Sequence, residues 1–141
     1  MNYMTDIQAS LLGLVDFASY FAVSIVLLLV FKVVYTLITP QDEWKLVKDE
    51  KNTAAAIGFM GAVLGFALAL ASAASNSESL IDFIIWGIVA LIAQTIAFAI
   101  VRFIFMPKVV QRINDNEVSA GIVLGGTSIA VGLLNAACMT Y

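Results

Sequence analysis

Two aspartates, Asp16 and Asp82, each stand just before a long apolar run and are each followed by a phenylalanine, in Val15-Asp16-Phe17 and Ile81-Asp82-Phe83. Brought together at one end of a helix bundle, such carboxylates could collect a proton or a cation, and ionisable groups at membrane depth are functional candidates by default. The alternative is structural: an acid in the first turn of a helix is stabilised by the positive end of the helix dipole. Both acids fall at the edge of an apolar run rather than inside it, so the structural account is preferred. A second polar set lies within the runs: Gln94 midway along the third, Thr127 and Ser128 in the middle of the fourth, and Asn135 a turn before its end. Facing one another they would line a polar path. More often such groups bond to a neighbouring helix, for about 1 kcal/mol each. The position in the first run that matches Gln94 is Leu28, so the path is not repeated and packing is preferred.

Further chemistry is thin. The chain has no histidine and one cysteine, Cys138, and its acids do not cluster. Neither a metal site nor a nucleophile–base pair can be assembled from this set. The expectation is a protein that is not an enzyme, with no catalytic residue, metal, cofactor or nucleic-acid partner. Cys138 cannot close an internal disulfide and is expected as a small buried apolar residue.

The elements that hold these residues follow from hydropathy. Of 141 residues 62 % are apolar and 12 % charged, and the mean hydropathy is +0.99. A water-soluble domain of this size could not hide that surface. Four runs are long enough to cross a bilayer: Phe17–Ile38, Thr53–Ala74, Phe83–Phe105 and Ser119–Met139. At 1.5 Å rise, runs of about 21–23 residues reach roughly 32–35 Å, enough for a hydrocarbon core of about 30 Å. Backbone polar groups in lipid must be satisfied within the segment, so all four are predicted as α-helices. The start lacks the basic region of a signal peptide and its apolar stretch runs on to Ile38, so it is expected to stay as the first span. A start as early as Leu11 would place Asp16 inside the membrane.

Small residues recur on two of these helices. Gly58, Gly61 and Gly65 mark one face of the second span, with Ala54, Ala69 and Ala73; Gly121, Gly125 and Gly132 mark the fourth, with Ser128 and Ala136. Such faces let helix backbones approach closely, a leading source of association where lipid already solvates apolar side chains. These faces are expected to pack first within the protomer, with the remainder used in a homo-oligomer.

Charge sets the orientation. Lys32, Lys45, Lys48, Lys51, Arg102, Lys108 and Arg112 all flank the first and third connections; the N-terminal tail, the second connection and the C-terminus hold none. Lys and Arg in short loops mark the cytoplasmic side, which places both termini outside. Within Thr39–Asn52, Thr39 is expected as an N-cap with Pro40 in the first turn, opening a short interfacial helix whose apolar side is Trp44, Leu46 and Val47. Pro107 with Val109, Val110 and Ile113 repeats the plan.

The halves match elsewhere too. Tyr20 follows Asp16 as Trp86 follows Asp82, and Asn52-Thr53-Ala54-Ala55-Ala56-Ile57 matches Glu117-Val118-Ser119-Ala120-Gly121-Ile122. The predicted fold is an all-α integral membrane protein forming one membrane domain over residues 1–141. Its four transmembrane helices make two parallel two-helix repeats, 11–74 and 80–141, with short interfacial helices in the cytoplasmic loops. Two copies that each cross twice keep the same orientation, which implies a pseudo-two-fold axis along the membrane normal.

The stretches Ile38-Thr39-Pro40-Gln41-Asp42-Glu43-Trp44 and Asn52-Thr53-Ala54-Ala55, with the ending Asn135-Ala136-Ala137-Cys138-Met139-Thr140-Tyr141, resemble the YjfL-like family of small bacterial inner-membrane proteins built on a domain of unknown function. The resemblance covers nearly the whole chain and implies a two-unit, four-helix inner-membrane protein. It also implies an envelope setting, since such proteins are often encoded beside a phage-shock-protein-A-like membrane-remodelling protein and an ATP-grasp enzyme. It carries over no catalytic or binding residue. Tyr141 stands where relatives have Trp, and both suit a membrane interface.

Two function classes remain. One is an oligomeric scaffold or accessory subunit of an envelope system, in contact with the lipid bilayer and with envelope or membrane-remodelling proteins. The other is a small-solute or ion pore or carrier formed by an oligomer, lined by Gln94, Thr127, Ser128 and Asn135 with Asp16 and Asp82 at its mouth. No charge lies mid-membrane, where a coupled transporter usually carries one, and this favours the scaffold.

Overall fold

A computed structural model describes residues 3–40 and 42–139, so Gln41, Thr140 and Tyr141 of the family-like stretches lie outside the described residues. The order is α1 (Tyr3–Ile38), α2 (Glu43–Lys48), α3 (Thr53–Asn76), α4 (Leu80–Ile100) continued by a π-helical turn (Val101–Phe105), α5 (Val109–Asn114) and α6 (Val118–Cys138). Four of the helices, α1, α3, α4 with its π turn, and α6, are long and apolar enough to cross a membrane. The π turn ends where Pro107, lacking an N–H, cannot continue the ladder; the Met106 N–H donates to Val101 O at 2.8 Å.

α3 and α6 run parallel and form the tightest contact. A Cβ built on Gly61 would overlap the Cα of Gly125 and sit 2.6 Å from its carbonyl oxygen. A Cβ on Gly121 would lie 2.8 Å from Ala54 Cα, and one on Gly132 2.6 Å from the carbonyl carbon of Gly65. Gly58 faces a side chain instead, Leu124 Cδ2 at 3.1 Å. Backbone therefore meets backbone along most of this seam, which only residues without a side chain permit.

The ends of the pair are tied. Asn52 caps α3, its Oδ1 accepting from Ala55 N at 2.9 Å while its Nδ2 donates to Ile113 O at 2.7 Å. Asn116, in the left-handed region at φ 59°, accepts from Ala54 N at 3.0 Å. At the far end the Ser72 hydroxyl donates to Ala136 O at 2.7 Å.

α1 and α4 pack across this pair through aromatic rings. Phe31 stacks on Phe66 with centroids 4.7 Å apart, and Tyr35 meets Phe59 and Phe98 edge-on. Tyr20 stacks on Phe83, in the first turn of α4, at 5.3 Å. α1 is longer than the hydropathy run predicts: it starts at Tyr3, and every residue from 3 to 18 is exposed. Helix hydrogen bonds do not need lipid, so the helix outlasts the uninterrupted apolar stretch.

Two local expectations are corrected. Thr39 is not the N-cap of α2; that role falls to Asp42, whose Oδ1 accepts from Lys45 N at 3.2 Å, while Thr39 belongs to the end of α1, its N–H donating to Tyr35 O at 3.0 Å. Cys138 is exposed, not buried, since it lies off the α6 stripe of Leu124, Ser128 and Gly132 that faces α3.

Candidate functional site

Tyr35 and Thr39 lie a turn apart at the end of α1, and Glu43 opens α2, a separate helix beyond Pro40. α2 folds back against α3, carrying Glu43 beneath the end of α1, where it is 2 % exposed. Thr39 Oγ1 lies 2.6 Å from Glu43 Oε2 and 2.9 Å from Tyr35 O. Burial first of all, with the neighbouring Asp42 charge adding to it, pushes the Glu43 carboxyl up to about 7, against the hydrogen bonds from Thr39 and from its own backbone N–H.

A hydroxyl has one proton to donate. With Glu43 ionised, Thr39 must choose between the carboxylate and the Tyr35 carbonyl. With Glu43 protonated, the carboxyl donates to Thr39 Oγ1 and Thr39 donates onward to Tyr35 O, so both short contacts become hydrogen bonds. The arrangement can take up and release a proton near neutrality. The Tyr35 hydroxyl is buried with no hydrogen-bond partner among the described residues. Lys32 closes the outer side, its Nζ 4.9 Å from the centroid of the Trp44 ring.

A second polar point lies deeper. Gln94 is 1 % exposed, with neither amide atom partnered among the described residues, and a Cβ on Gly65 would come within 2.7 Å of its Nε2. Ser128 is beside the same spot, but its hydroxyl donates to Leu124 O at 2.8 Å on its own helix. Gln94 and Ser128 are thus brought together at Gly65. Thr127 is half-buried, and Asn135 is half-buried with an unpartnered Nδ2.

The two aspartates have different surroundings. Asp82 sits in the first turn of α4, where Ser79 Oγ accepts from Asp82 N at 3.1 Å and Asp82 Oδ2 accepts from Glu78 N at 3.0 Å. The first satisfies an N–H of the first turn, the second the N–H of Glu78 just ahead of the N-cap Ser79. Asp16 is exposed and well past the first turn of α1, so no helix end stabilises it, contrary to the structural account of this residue. It stands a turn beyond Tyr20, about 6 Å further out than the ring that meets Phe83.

Glu43 is not among the candidate residues that the sequence singles out. No helical period marks it, because α1 and α2 are separate helices; the Thr-Pro-Gln-Asp-Glu-Trp stretch is the sequence feature that contains it. Among the described residues no group of three His, Cys, Asp or Glu side chains is placed to hold a metal.

Comparison with known proteins gives the context. The chain is 40 % identical over 129 residues to the UPF0719 inner membrane protein YjfL of Escherichia coli (strain K12), covering 92 % of this chain and 96 % of that protein. It is 27 % identical over 125 residues to the UPF0719 transmembrane protein YshE of Bacillus subtilis (strain 168), covering 88 % and 92 %. No solved structure matches it significantly. The family model described as Domain of Unknown Function (DUF350) matches residues 9–139, and the chain belongs to that family.

Proposed function

We propose that this protein is an oligomeric scaffold or accessory subunit of an envelope system in the bacterial inner membrane, without enzymatic activity, and that it conducts nothing through the centre of its protomer. The closed interior carries this reading. α3 and α6 meet backbone to backbone, Phe59, Phe66 and Phe98 fill the space toward α1, and Gln94 is sealed rather than lining a passage. The relatives' names, an inner membrane protein and a transmembrane protein, support the location.

Both termini face the periplasm in this proposal. The seven basic residues flank α2 and α5, while the α3–α4 connection and the end of α6 have none. α2 and α5 lie in the cytoplasmic interface, with Trp44 and Lys32 at headgroup level. The two halves are parallel repeats. Lys51 and Asn116 are the two non-glycine residues with positive φ among those described, and each stands just before the N-cap of its small-residue helix. The pairs Gly61–Gly125 and Ser72–Ala136 are separated in the chain by nearly the interval at which the halves match, as a pseudo-two-fold axis between α3 and α6 requires.

The test is purified protein in liposomes with potassium and proton gradients read by dyes, alongside its mass in nanodiscs. Expected are no flux above protein-free vesicles and a mass of more than one protomer. Flux that Asp82→Asn or Gln94→Leu changes would overturn the scaffold in favour of an oligomeric pore. The exposed Cys138 supplies the topology test: a membrane-impermeant maleimide is expected to label it from the periplasmic side only.

A further inference from the structure

α1 does not end with the bundle. Tyr20 packs on Phe83 at the first turn of α4, level with the polar Asn76–Ser79 connection that closes the outer end, so Tyr3–Ser19 projects about 25 Å beyond it at 1.5 Å per residue. This extension is not polar all round. Met4, Ile7, Leu11, Leu14, Ala18 and Phe21 alternate at three- and four-residue steps, the a and d positions of a heptad, and all are exposed. The bundle uses another face of α1, the one bearing Val23, Leu27 and Phe31.

We infer that this seam pairs with the same seam of a second copy, as a parallel helical coil standing on the outer face of the bundle; the inference rests on the oligomeric reading above. Three observations select this occupant. Copies inserted the same way in one membrane present α1 in parallel, so each seam residue meets its own counterpart. Asp6 and Asp16 fall at the outer c and f positions, and the flanking e and g positions carry Gln8, Ser10, Val15 and Phe17, so like charges do not meet across the seam. A helix lying on the lipid surface instead carries Lys and Arg on its polar face, and no basic residue precedes Lys32.

The test uses the full chain in a Cys138→Ser background. Ile7→Cys and Leu14→Cys on the seam are oxidised in nanodiscs beside Ala9→Cys on the outer face. A parallel pair holds seam cysteines within disulfide reach and f positions about two helix diameters apart, so roughly tenfold more crosslinked dimer is expected at Ile7 and Leu14 than at Ala9. Leu14→Lys, at a site with no bundle contact to lose, is expected to reduce the assembly in mass. Equal crosslinking at all three sites, or an unchanged mass for Leu14→Lys, overturns the seam and leaves the oligomeric reading standing. A wild-type protein that is a single protomer in nanodiscs overturns both. A fluorophore at Ile7 quenched by bilayer lipid shows the extension lying on the membrane and overturns the seam alone.

Discussion

A single methyl group at Gly61 tests how the two central helices are held. In Gly61→Ala the new Cβ overlaps Gly125 Cα and stands 2.6 Å from Gly125 O, where ordinary contact begins at 3.4 Å. Both neighbours are backbone, so no side chain can turn away, and the helices must part locally by about 1 Å. A gap of that size forfeits roughly a quarter to a half of each dispersion contact along the seam, and forced overpacking of this kind costs about 1–3 kcal/mol. Gly126→Ala is the control: nothing lies within 4 Å of its Cβ, so it is expected to be neutral or, through helix propensity, up to about 1 kcal/mol more stable. Gly58→Ala falls between them, because its methyl meets the mobile end of Leu124. Unfolding in mixed micelles, followed by the fluorescence of Trp44 and Trp86, ranks the three. If Gly61→Ala were as stable as Gly126→Ala, the inference from backbone contact to stability would be wrong.

Other perturbations read different parts of the molecule. Glu43 has its folded pKa raised from 4.5 to about 7, so the folded state holds more protons than the unfolded one between those values. Stability is therefore full below about pH 4.5 and falls by up to roughly 3 kcal/mol as pH rises through 7, while Glu43→Gln flattens melting curves recorded from pH 4.5 to 8. Asn52→Ala removes the α3 cap and leaves Ile113 O without its donor, an expected loss of about 2 kcal/mol by the same unfolding assay. Asn116→Gly keeps the left-handed backbone but loses the bond to Ala54 N; hydrogen exchange should quicken at the start of α3 while the rest of the bundle stays protected.

The four long helices were legible because hydropathy alone specifies them: a chain with this many apolar residues in runs of that length has few other ways to satisfy its backbone. What stayed hidden depends on which face of a helix meets which neighbour. Cys138 reads as an ordinary buried small residue until α6 is rotated against α3, when it falls on the outside. Thr39 and Asp42 compete for one cap, and the bonds of Thr39 back to Tyr35 O leave it to Asp42. The depth of Glu43 follows from the return of α2 onto α3, a tertiary contact that no local pattern specifies. The early start of α1 escaped for the opposite reason, since hydropathy marks where lipid suits a chain and not where a helix begins.

Equating the two halves as proposed separates what the fold needs from what it carries in addition. Glu43 opens α2 as Val109 opens α5, and both are buried under the end of a long helix, at 2 % and 0 % exposure. Valine fills its niche without a hydrogen bond, so a buried helix start in this architecture does not require a carboxyl. The same alignment sets Gln94, whose amide has no partner among the described residues, against the aliphatic Leu28. Burying a polar group without full hydrogen-bond compensation costs about 1–3 kcal/mol, and an apolar residue of similar size avoids that cost. Both polar departures therefore weigh against stability where the matched position of the other half shows an apolar solution. Both lie in the half of the bundle nearer the basic loops, where the Tyr35 ring meets Phe98 edge-on. Side chains that a fold tolerates at a loss are where function is best sought, which makes Glu43 and Gln94 the residues to substitute first.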